Sequence, residues 1–133
     1  MPTDRFTPDD AREWLNRAKS NLAQSKIGAG NPDIYLEDLC FNAQQAAEKA
    51  LKAVLIHREV FFPRTHSIAV LLSLVEQALS IIPSRVKNSS ILSDYAVEIR
   101  YPGVSESVSQ AEYEEAVNLA EQVVIWAQEI INK

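Results

Sequence analysis

Apolar residues recur along this chain at three- and four-residue spacing, and the recurrence predicts a series of helices. In the first block Ala11, Trp14, Leu15, Ala18 and Leu22 form one helical face. Thr7 is suited to cap its start and Pro8 to open it, with Asp9 and Asp10 at the positive end of the dipole. Gly28 and Gly30 are expected to end it. The second block repeats the opening signal with Asn31, Pro32 and Asp33. Its apolar face reads Leu36, Leu39, Ala43, Ala46, Ala47, Ala50, Leu51 and Val54, a helix of about 25 residues. The small alanines would admit a neighbouring backbone, and Pro63 marks the break.

A third helix is expected over Ser67 to Leu79, with Ile68, Leu71, Leu72, Val75 and Leu79 inward and Pro83 following. The serine-rich stretch Ser84 to Ser93 reads as a loop leading into a short fourth helix near Ile91 to Ile99, stopped by Pro102-Gly103. The last block begins with Ser109 and Glu112 spaced as a capping box. Tyr113, Ala116, Val117, Ala120, Val123, Val124, Ala127, Ile130 and Ile131 then keep one helical face, with Trp126 off it. The fold class is all-α: an up-and-down bundle of four long helices plus one short helix, each covering another's apolar stripe. The 133 residues suit a single domain.

Composition adds exclusions. Apolar residues make up 47% and charged residues 23%, which excludes a disordered or collagen-like chain. No apolar run is long enough for a membrane span and no signal-peptide core opens the sequence, so no membrane partner is expected. One cysteine, Cys40, cannot make an intramolecular disulfide, and a reduced, cytoplasmic setting is the default. The net charge is −5, carried by the second half: residues 1–66 hold nine basic and nine acidic residues, residues 67–133 four and nine. Binding to duplex DNA by phosphate neutralisation over the whole surface is not expected. With two histidines and one cysteine at no ligand spacing, no metal site is expected. A phosphate loop, a dinucleotide fingerprint and a nucleophile elbow are absent, and no cofactor is expected.

Three places could carry chemistry. Gln45, Glu48, Lys49 and Lys52 share a stripe beside the apolar face of the second helix. They read either as a solvated face, with a Glu48–Lys52 pair worth a few tenths of a kcal/mol, or as a polar ledge for a partner or an anion. His66, in Pro63-Arg64-Thr65-His66, reads either as a neutral cap of the third helix or as an acid/base or phosphate-contacting group. Arg100 and Tyr101, before Pro102, sit at a forced helix stop. The guanidinium fork of Arg100 suits carboxylate or phosphate, or pairing with Glu98 or Asp94. His57 reads as a surface residue at the negative end of the second helix.

Gln44-Gln45-Ala46-Ala47-Glu48-Lys49-Ala50-Leu51-Lys52-Ala53, then Thr65-His66 before an aliphatic helix, then Arg100-Tyr101-Pro102 and a long closing helix, resemble the HEPN domain (higher-eukaryote and prokaryote nucleotide-binding) over nearly the whole chain. The resemblance implies a bundle of about five helices, usually a homodimer. It often accompanies a minimal nucleotidyltransferase in a two-component or toxin–antitoxin pair. Nucleotide or partner binding would then fall to Gln45, Lys49, His66, Arg100 and Tyr101. Some members of the family are metal-independent ribonucleases, marked by an Arg followed after four to six residues by a His. This sequence departs from that signature: seven residues, Pro63 among them, separate Arg58 from His66, and no His follows Arg100. Cleavage of RNA would therefore require Arg100 and His66 to meet in space. A ligand-free helical dimerisation unit is the third reading.

Overall fold

The computed structural model describes residues 8–95 and 108–132, which form helices and short connections and contain no strand. Helix α1 spans Pro8–Ile27, α2 Leu36–His57, α3 Ile68–Leu79 and α4 Ser84–Lys87. A 3-10 helix covers Asn88–Tyr95, and α5 runs from Gln110 to Ile131.

Helix α2 is the hub. It packs against α1, α3, α5 and the 3-10 segment, so its apolar stripe wraps most of the cylinder. Ala43, Ala46, Ala47, Ala50, Leu51, Ala53, Val54 and Leu55 are all fully buried. Alanine at five of these positions lets neighbouring helices approach closely, because a small contact residue sets a short interaxial distance. Around them lie Leu15 and Ala18 from α1, Ile68, Leu71 and Val75 from α3, and Ala120, Val123 and Ala127 from α5. Trp126, off the face predicted for the last helix, is buried as well, so the apolar stripe of α5 is broad.

The predicted bundle is present, with three local corrections. First, Asn31 does not cap the second helix. Its Oδ1 accepts from the Asp33 amide 2.9 Å away, closing a tight turn in the connection, and α2 begins at Leu36 after Tyr35 in extended conformation. An Asn side chain bonding two residues ahead competes with helix initiation. Second, Ser84 to Ser93 is not a loop: α4 and the 3-10 helix fill it. The Ser89 hydroxyl donates to the Val86 carbonyl at 2.6 Å, and Val86 and Leu92 are anchored in the core. Third, the cap of α3 is Ser67, whose Oγ accepts from the Val70 amide; His66 is turned elsewhere. Thr7 and the expected Ile91–Ile99 helix beyond Tyr95 lie outside the described residues.

Helix α1 ends before Gly28, as expected. A Cβ on Gly28 would meet Leu39 Cδ2 at 2.7 Å, so the glycine lets the connection pass close over α2. Gly30 has φ +85, the left-handed region that glycine enters freely. The Ser109–Glu112 capping box opens α5 with both reciprocal bonds formed. Tyr113, one residue on, donates its hydroxyl to the Ser25 carbonyl at 2.6 Å and locks the start of α5 to the end of α1.

Candidate functional site: a buried carboxylate beneath an exposed histidine

The side chains at 44, 48 and 52 rise one turn apart on a single edge of α2. That edge faces the start of α3 on one side and Trp14 of α1 on the other. Glu48 is only 3% exposed and Lys52 8%, so the pair does not form the solvated face considered from the sequence. Lys52 Nζ lies 2.8 Å from Glu48 Oε2. The same ammonium stands 5.7 Å from the Trp14 ring centroid and 5.8 Å from that of Phe62, two faces that favour a cation.

The other carboxylate oxygen is shared. Gln44 Nε2 donates to Glu48 Oε1 at 3.0 Å, and His66 Nδ1 lies 3.0 Å from the same oxygen. Gln44 Nε2 also donates to the His66 carbonyl at 3.1 Å, fixing the backbone of the α2–α3 connection to α2. The imidazole is held from below while its side chain remains 70% exposed. Burial pushes the Glu48 carboxyl up, but hydrogen bonds from Lys52, Gln44 and His66, with the Lys52 charge, outweigh it and hold the carboxyl below its usual range.

Gln45 joins the cluster from the side: its Nε2 donates to Gln44 Oε1 at 2.8 Å and reaches Glu48 Oε1 at 3.5 Å. Lys49 turns toward α1 instead. Its ammonium donates to Asn21 Oδ1 at 2.7 Å, and Asn21 in turn donates to Asn42 Oδ1 at 3.1 Å. Partial burial pulls the Lys49 ammonium down from its ordinary value; Glu48 opposes this, while Arg17 and Lys52 add to it. Of the residues expected to form a site, Gln45 and His66 meet through Glu48, and Lys49 stands one turn along on the α1 side. Arg100 and Tyr101 lie outside the described residues.

Sequence reasoning placed Glu48 and Lys52 but missed Gln44 and the burial of all three. The available signal was Lys52 itself, alone among Ala50, Leu51, Ala53, Val54, Leu55 and Ile56. A lysine inside an apolar run needs a carboxylate one turn away, and Glu48 is in that place. Among the described residues no group of His, Cys, Asp and Glu could hold a metal ion, and no helix is long and apolar enough to cross a membrane.

A family model for the HEPN domain matches residues 11–130, and this chain belongs to that family. The fold is similar to that of TT1696 from Thermus thermophilus, at 32% identity and a TM-score of 0.75, covering 90% of this chain and 97% of that one. It is also similar to ST0689, described as an archaeal HEPN homologue, at 23% identity and a TM-score of 0.71, covering 91% and 97%. No curated protein matches the chain.

Proposed function

We propose that this chain is a non-catalytic HEPN module that binds a nucleotide or a protein partner and acts, as a homodimer, beside a minimal nucleotidyltransferase in a two-component or toxin–antitoxin pair. The observation supporting a binding role is the exposed His66 imidazole held on a buried carboxylate, with the Gln45 amide beside it. Here the charged and amide groups are spent on orienting a ring that faces outward. Lys49 supplies a cation whose described partner is an amide oxygen and not a carboxylate. Calorimetric titration of the purified protein with nucleoside mono- and triphosphates tests the ligand, and co-expression with the product of any adjacent nucleotidyltransferase gene tests the partner. No binding heat together with no co-purifying partner would remove this reading.

One observation favours a second reading, a metal-independent ribonuclease using His66 and Arg100. A carboxylate on Nδ1 of an exposed imidazole is an arrangement that serves proton transfer at Nε2. This reading predicts that the purified protein degrades RNA and that His66→Ala stops it. RNA left intact after long incubation would dismiss it.

A further inference from the structure

We propose that Glu48 is a positioning residue that sets the tautomer of His66, so that the ring presents an unprotonated Nε2 to solvent and accepts a hydrogen bond from a hydroxyl of a bound ligand. This rests on the ligand-binding role proposed for His66 and assigns the chemistry of one contact in it.

A neutral imidazole carries one N–H, and the nitrogen that keeps it is set by the partner of each ring atom. His66 Nδ1 lies 3.0 Å from Glu48 Oε1 and 3.3 Å from Oε2. An ionised carboxylate only accepts. Glu48 is kept ionised by Lys52 at 2.8 Å and by the Gln44 amide at 3.0 Å. The proton therefore resides on Nδ1. The Gln44 bond to the His66 carbonyl fixes the backbone from which the ring projects. In the neutral ring Nε2 then carries the lone pair, on a side chain that is mostly exposed. A phosphate dianion offers only acceptors and gives nothing to such a nitrogen. A ribose hydroxyl donates to it. In its neutral form the ring thus suits the sugar end of a nucleotide, whereas the ammonium of Lys49, on the α1 side of the same helix, is the group suited to phosphate.

Nitrogen-15 long-range NMR correlation at alkaline pH reads the tautomer directly. Wild-type His66 should show the Nδ1–H pattern, and Glu48→Gln should move the ring to the Nε2–H form or a mixture. Should Glu48→Gln fail to fold because Lys52 is left buried and unpaired, the Glu48→Gln/Lys52→Met double variant removes both charges and carries the same readout. A wild-type Nε2–H ring, or a pattern unchanged in the variant, overturns the assignment. For the ligand contact, the probes are adenosine and guanosine 5′-monophosphates and their 2′,3′-dideoxy forms. The wild type should bind the ribonucleotides at least tenfold more tightly, and the Glu48 variant should lose that preference. Equal affinity for both sugars overturns the hydroxyl contact while leaving nucleotide binding intact. Failure to bind any of the four overturns the hydroxyl contact and the nucleotide reading together, and the tautomer result still decides the role of Glu48.

Discussion

His66 Nδ1 and Glu48 Oε1 stand 3.0 Å apart, across a boundary between a mostly exposed ring and a carboxylate that is 3% exposed. The two residues are 18 positions apart and lie on different elements. Their contact makes the α2–α3 connection part of the site and ties its geometry to charges inside the bundle.

Lys52→Ala leaves the Glu48 carboxylate buried without its cation, a loss on the order of 3–5 kcal/mol. The remaining bonds from Gln44 and His66 favour the lower end of that range. Removing both charges as Glu48→Gln/Lys52→Met should cost less than Lys52→Ala, because no uncompensated charge remains. By contrast, Glu13→Ala, at the exposed pair with Arg17, should cost about 0–1 kcal/mol. Urea denaturation of the variants orders these three.

Acid should destabilise the fold through Glu48. Its carboxyl is held low in the folded chain, so the unfolded chain takes up the proton first. The stabilisation is fully present above the ordinary carboxyl range, about pH 4.3, and is lost as pH falls through the lower folded value. Glu48→Gln should flatten the acid side of a stability-versus-pH curve. Glu112, lowered by its backbone and side-chain bonds with Ser109, acts with the same sign, so some acid sensitivity should survive in the Glu48 variant. A curve of identical slope in the Glu48 variant would refute its part in acid unfolding.

The two glycines after α1 should fail for different reasons. Gly30→Ala meets nothing within 4 Å but must hold φ +85, a backbone cost of about 1 kcal/mol. Gly30→Asn should recover much of it. Gly28→Ala must displace the buried Leu39 side chain, and Leu39→Ala in the same chain should relieve that clash. Thermal melts of the single and double variants separate the two mechanisms.

Ser109→Ala removes the hydroxyl that accepts from the Glu112 amide, and should cost about 1 kcal/mol. His66→Ala, at an exposed position, should change stability less than Lys52→Ala while abolishing any nucleotide binding detected in the wild type. A large stability loss in His66→Ala would recast the residue as structural.

The bundle is legible in the sequence because its period is repeated: α1, α3 and α5 begin or end within a residue or two of their predicted limits. The start of α2 is not, since Asn31-Pro32-Asp33 carries the chemistry of a turn as well as that of a cap. The segment from Ser84 to Ser93 reads as a loop because serines favour turns in isolation, whereas here Val86 and Leu92 are pulled into the core and impose helical geometry. At the candidate site, residue types and spacing single out Gln45, Lys49 and His66, of which Gln45 and His66 meet through Glu48. The burial of Glu48 and Lys52 is hinted at only by Lys52 within an apolar run; its extent depends on how many neighbours surround α2, a tertiary quantity. Periodicity likewise does not foresee that His66 bonds across to α2, leaving the cap to Ser67.

Enclosure of α2 has a dynamic consequence. Amides in the stretch 46–55 have neighbouring helices on several sides, so they should exchange with deuterium only through global opening. Since Glu48 and Lys52 sit within that stretch, any ligand that binds His66 only in the folded form should slow isotope uptake across residues 46–55 as well as at the point of contact.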